Sequence, residues 1–146
     1  MKSEQFTKNF NLTEFLVSAN ATHEGFTEQF EPDAIIIYNL RLLCVKLLQP
    51  LRDLLPNGII HVSSGWRCQR LNEYVGGTPT GHPTGHYADI EYFENGVKDN
   101  QKIVEAVIEN HLSFSQMLNE NNGDWIHIGY VPGQNSNHYI PNYKPK

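Results

Sequence analysis

Cysteine is scarce in this chain: only Cys44 and Cys68 occur in 146 residues. Two thiols cannot build the disulfide framework of a small secreted scaffold. A hydrophobic core must hold the fold, and a chain of this length can bury one without metal or disulfide help. Cys44 sits in an apolar run of helical spacing and reads as a buried thiol. A Cys44–Cys68 bridge stays open, but nothing demands it. Positive charge is also short. There are 11 Lys and Arg against 16 Asp and Glu, a net charge of −5. That argues against a nucleic-acid binder, which usually carries a basic patch. No apolar stretch approaches the length of a membrane span, so insertion is not expected. The opening MKSEQFTKNF lacks the apolar segment of a secretory signal, which predicts synthesis in the cytoplasm. Internal repeats, low-complexity linkers and the GxxxxGK[ST] phosphate loop are absent too. What remains is the size and composition of one ordinary globular domain, expected to be a monomer.

The pattern of apolar residues gives the elements. Residues 1–10 read as a lead-in. Asn11-Leu12-Thr13-Glu14-Phe15-Leu16 starts a helix, with Asn11 or Thr13 as cap. Residues 19–31 are polar and read as a loop or short turn, with His23 solvated. From Asp33 onward Ile36, Leu40, Leu43, Leu47, Leu48 and Leu51 recur at helical spacing. Pro50 predicts a kink or break near Gln49. Ile59-Ile60-His61-Val62-Ser63 is a β-branched strand, and His61 reads as a sheet histidine. Residues 68–75 give a turn or two of helix. Residues 76–81 form a glycine-rich loop that lets the backbone approach a ligand. Residues 87–93 alternate as a strand, and Glu94-Asn95-Gly96 turns the chain. Residues 99–111 make a second core helix. Segments 114–118 and 125–130 are strands joined by a polar turn. From Val131 the chain is rich in Pro, Asn and Tyr. An irregular surface segment is expected there, with His138 exposed.

These elements predict a small α+β single domain. Its core is expected at about 33–130, with a mixed or antiparallel sheet backed by the 33–48 and 99–111 helices and an irregular 131–146.

The chemistry gathers in Gly81-His82-Pro83-Thr84-Gly85-His86-Tyr87-Ala88-Asp89-Ile90. Strand alternation puts Tyr87, Asp89 and Glu91 on one face. A loop histidine and a strand aspartate can converge on one cation, and zinc accepts both. The candidate third ligand is His127, in Asp124-Trp125-Ile126-His127-Ile128-Gly129-Tyr130. Such a shell leaves a net positive zinc able to acidify water. Asp124, three residues before His127, is then the candidate general base, placed in the turn before the strand. Arg67 follows a glycine at a strand end. It reads either as a two-donor fork for a carboxylate or as a scaffold arginine. His86 either orients substrate or is a plain loop residue.

The order Ser64-Gly65-Trp66-Arg67, Leu71-Asn72, Val75-Gly76-Gly77, His82 to Asp89-Ile90 and Trp125-Ile126-His127-Ile128 resembles the M15 family of zinc D-Ala-D-Ala peptidases, including its small bacterial and phage members. The match spans roughly residues 33–130. It implies the D-Ala-D-Ala carboxypeptidase and Hedgehog-like fold, zinc on His82, Asp89 and His127, and Arg67 on the substrate side. Thr80 keeps the small hydroxyl that the family places two residues before its first histidine. Tyr87 departs from the small residue typical there. Some members carry the base three residues before the last histidine, which maps to Asp124. Others carry a glutamate further upstream, which maps to Glu120. Asp124 is preferred because a strand fixes its spacing. The implied reaction is zinc-dependent cleavage of peptidoglycan stem peptides beside a D-amino acid, as carboxypeptidase or endopeptidase. The wall would be reached through phage-type release or within a virion. The competing expectation is a non-catalytic wall-binding or phage structural module that retains the fold.

Overall fold

The computed structural model describes residues 4–144. Residues 1–3 of the expected lead-in and residues 145–146 of the expected tail lie outside the described residues. Two residues of the rest of the lead-in, Phe6 and Phe10, pack into the core. Phe10 is buried with Leu12, Phe15 and Leu16. Leu12–Phe15 form one tight helical turn that opens with a capping box: the Asn11 side chain accepts from the Glu14 N–H, and the Glu14 carboxylate accepts from the Asn11 N–H. Residues 19–31 also hold more structure than a loop. Helix α1 (Ala19–Glu24) is capped by Ser18 and stopped by Gly25 in the left-handed region, and Thr27–Phe30 add another turn.

Helix α2 (Ala34–Leu43) begins at Asp33, whose carboxylate accepts from the Ile36 N–H. Near Gln49, where a kink or break is expected, the helix is irregular but not interrupted. Cys44–Leu48 widen into a π turn that runs directly into α3 (Gln49–Asp53), which holds Pro50 in its first turn. A proline inside a helix removes one N–H and crowds the carbonyl four residues back. The wider turn gives that carbonyl room. The joined rod, Ala34–Asp53, is by length and composition apolar enough to cross a membrane. This corrects the expectation that no stretch approaches such a length. In the fold, its Leu40, Leu43, Leu47, Leu48 and Leu51 stripe is buried in the core.

The sheet is built from β1 (Ile59–Ser64), β2 (Tyr87–Glu94), β3 (Val97–Lys98), β4 (Gln116–Glu120), β5 (Trp125–Gly129) and β6 (His138–Tyr143). Helix α4 (Gln69–Tyr74) follows β1, and α5 (Gln101–Glu109) follows β3. The strand order is β1-β2-β5-β4-β6, with β3 added to β2. Every pairing is antiparallel except that of β4 with β6. The domain is therefore α+β with a mixed sheet. Residues 131–137 are irregular as expected, but β6 follows where no strand was expected, and the core extends beyond residues 33–130 on the N-terminal side.

One face of the sheet carries Ile60, Val62, Ala88, Ile90, Tyr92, Met117, Ile126 and Ile128 into the core, which also takes in Ile103, Val104 and Val107 of α5. Period-two alternation leaves Asp89, Glu91 and His127 on the opposite face. His61 is exposed on β1 and is not one of the clustered ligand residues. Cys44 and Cys68 are both buried and free, so no bridge forms.

The buried rod gives a direct test of the core. Leu47 is fully buried in the π turn. Leu47→Ala should destabilise the fold by about 2–5 kcal/mol, read as a lower denaturant midpoint with an unchanged slope.

Candidate metal centre

The register of β2 and β5 sets Asp89 directly opposite His127. His82 opens a short helical turn, His82–Thr84, immediately before β2. Its Nδ1–H donates to the Gly65 carbonyl at 2.6 Å. A carbonyl can only accept, so this bond fixes the tautomer and leaves Nε2 bare. That Nε2 lies 3.3 Å from Asp89 Oδ1, and His127 Nδ1 lies 3.0 Å from the same oxygen. All three side chains are buried, and their ligand atoms lie within 4.8 Å of one another. Two imidazole nitrogens and one carboxylate oxygen at the floor of an open cleft can hold a metal ion and still leave a coordination position free. The hydrogen bond from His82 to Gly65 is the outer support that such a ligand needs.

Burial by itself would raise the Asp89 pKa. The hydrogen bond from His127 and the adjoining His82 imidazole outweigh it and hold the carboxyl below its ordinary value. Asp89 is thus the anionic centre of the group. Arg67 Nη2 stands 3.7 Å from its other oxygen.

Arg67 is tied into the scaffold and also lines the cleft. Its Nε–H donates to Ser64 Oγ and its Nη1–H to Asn72 Oδ1, each at 3.3 Å. Asn72 is buried and donates to the Thr78 carbonyl, tying α4 to the glycine-rich loop. A Cβ on Gly77 would overlap Asn72 Oδ1 and crowd Arg67, so only glycine lets this loop close on the pair. Below them, buried Gln29 donates to the carbonyls of Leu16 and Trp66 and accepts from the Cys68 N–H. It fixes both ends of the segment that carries Arg67. Gln29 and Asn72 are supports that the sequence reading did not assign. Gln29 gave no signal there, because a lone glutamine in a polar stretch looks solvated.

The group opens into a cleft of about 920 Å³. Thr80 is exposed and lines it. His86, the other substrate-contact candidate, is not among the lining residues. It is half-buried at the start of β2, where its carbonyl accepts from the Tyr130 N–H. Tyr87 does not fill the space between the ligands. Its ring stacks on His127 at 5.1 Å between centroids and covers Gly129, its cross-strand partner.

The two candidate bases separate. Asp124 is exposed in a turn and absent from the cleft lining. Its side chain accepts from Asn121, and its carbonyl accepts from Lys98 and Asn100. Strand β5 begins only at Trp125, so Asp124 keeps a turn conformation and stays outside the cleft. The expectation that Asp124 shares the site is therefore corrected. Glu120, at the end of β4, is buried and lines the cleft. Its Oε2 accepts from Trp125 Nε1–H at 2.9 Å. Burial raises its pKa, the Trp125 bond opposes that rise, and the nearby Asp89 charge adds to it.

A family model described as Peptidase M15 matches residues 8–129 of the chain. The chain belongs to the M15 peptidase family. The matched part of this M15 domain contains Arg67, His82, Asp89, Glu120 and His127, and it stops before β6. A search of curated proteins finds no match.

If His82, Asp89 and His127 form one metal shell in this M15 domain, His127→Ala should reduce bound metal from near one equivalent to almost none. Asp124→Asn should leave it unchanged. Elemental analysis after dialysis reads both, and full metal in the His127 variant would remove that residue from the shell.

Proposed function

We propose that this M15 domain hydrolyses a peptide bond in peptidoglycan stem peptides, beside a D-amino acid, with zinc held by His82, Asp89 and His127. The observation that carries the reading is a buried carboxylate, Glu120, in the same cleft as the His–Asp–His group. The donor set suits zinc: two imidazoles, one carboxylate, and an imidazole tautomer already fixed by a carbonyl. Zinc there would polarise the scissile carbonyl and acidify the attacking water.

The chain's own residues supply the remaining steps. Glu120 takes the proton of the water and returns it to the leaving amine. A carboxyl raised by burial is suited to accepting a proton and giving it back. Trp125 holds one oxygen of Glu120 and leaves the other for the water. Arg67 supports Ser64 and Asn72 and turns its remaining N–H groups toward the cleft, where they can bind a substrate carbonyl or carboxylate. Thr80 contributes a hydroxyl at the rim. A wall-binding or virion structural module would have no use for a buried carboxylate aimed at such a group, so the catalytic reading is preferred. The proposal includes a monomer that acts on the wall polymer after phage-type release or from within a particle, without nucleic acid as a ligand and without inserting in a membrane.

Glu120→Gln keeps the size of the side chain and removes the proton acceptor. Turnover of purified peptidoglycan and of defined stem peptides, followed by mass spectrometry, should fall about 10²–10⁴-fold with zinc retained. Asp124→Asn should stay near the unmodified rate. The opposite pattern would return the base to Asp124, and no cleavage by zinc-loaded protein would favour the binding module.

A further inference from the structure

Strand β6 lies beyond the residues matched to the family, yet Ser136, His138 and Tyr143 line the cleft. Its pairing with β4 is irregular in a way that bears on the site. His138 stands beside Gln116, Tyr139 beside Met117 and Ile140 beside Leu118; then Tyr143, not Asn142, stands beside Glu120. Strand β4 advances two residues where β6 advances three. The extra residue is a β-bulge at Pro141 and Asn142. Proline has no N–H to give a ladder, which makes this edge position a natural place for it. In a regular parallel ladder Asn142 would flank Glu120. The bulge puts Tyr143 there instead and brings it onto the cleft face.

Glu120 consequently has an aromatic residue on each side. Trp125 of β5 is its antiparallel partner and Tyr143 of β6 its parallel partner. Both rings line the cleft. Neighbouring strands lie about 4.8 Å apart, so Trp125 and Tyr143 flank the Glu120 position one strand to either side.

We propose that Tyr143 is a specificity-determining residue of this cleft, a ring that the β6 bulge places beside Glu120 to limit the size of the substrate residue lying next to the scissile bond. The inference rests on the peptide-hydrolase reading above. It assigns the selection to a segment outside the matched family residues, so this selectivity belongs to the chain's own C-terminal strand. Tyr143 acts by contact and bulk and has no part in moving the proton.

The test uses the zinc-loaded full chain and synthetic stem peptides in which the residue beside the cleaved bond is D-alanine, D-leucine or D-phenylalanine. The quantity read is the ratio of kcat/KM for the small over the bulky residue. Tyr143→Ala should lower that ratio about tenfold or more, with zinc content unchanged. Tyr143→Phe keeps the ring and should preserve it. If Tyr143→Ala does not fold, Tyr143→Thr keeps strand propensity, removes the ring and should lower the ratio in the same way. A general loss of stability would slow all substrates together and leave the ratio in place. An unchanged ratio in the ring-less variants, with the unmodified protein active, overturns the role of Tyr143 alone. An equal loss in Tyr143→Phe overturns it too, because the ring would not be the selecting group. Failure of the unmodified protein to cleave any of the peptides overturns the hydrolase reading and this inference with it.

Discussion

The register between β2 and β5 is the constraint on which the site depends. It sets Asp89 opposite His127. A slip of one residue would turn Asp89 into the core and bring Ala88 or Ile90 to the cleft. Two features hold the register. Ala88 and Ile90 of β2 and Ile126 and Ile128 of β5 are fully buried on the other face, so a slip of either strand would expose its buried pair. At the strand end, the Tyr87 ring covers Gly129, and any Cβ there would overlap it. The residue that departs from the family pattern thus works as packing. It fills the hollow over a glycine and stacks on the imidazole of His127.

The same register concentrates charge that must be balanced. Asp89 sits buried among two imidazoles and a guanidinium, and Glu120 is buried one strand further on. Leaving such carboxylates unpaired would be costly. Asp89 gains enough hydrogen bonding to lie below its ordinary pKa, whereas Glu120 has one indole N–H and is raised. Two carboxylates in one cleft are therefore pushed apart in acidity by their surroundings. This fits one for holding a cation and the other for moving a proton.

The sequence made the local parts of this arrangement legible. Alternation after Tyr87 put Asp89 on a polar face, and the spacing from His82 through a glycine turn brought the imidazole back to it. The long Leu stripe of 34–53 was equally visible, because helical periodicity is local. Three things were not. Pro50 signalled a kink or break, but no residue pattern marks the π turn that accommodates it. Asp124 had the better sequence spacing, yet three residues in a turn do not fix a direction, whereas Glu120 on β4 is aimed by the ladder. Strand β6 pairs in parallel with β4 from the far end of the chain. Its Pro and Asn content suppresses the strand signal, and its partner is not a sequence neighbour.

The two irregular edges of the sheet share a logic. On β1 the pairing shifts between Val62 and Ser64, so Ser64, and not Ser63, stands beside Asp89. The chain then leaves the strand in time for Arg67 to reach Asp89 from the side. On β6 the extra residue near Pro141 brings Tyr143 beside Glu120. A regular ladder would fix every side chain by parity alone, and parity is already committed to burying the apolar set. One added residue on an edge strand changes parity locally without disturbing the central β2–β5 pair. The centre of the sheet can therefore stay regular and hold the His–Asp–His group, while the irregular edges bring further side chains to the cleft.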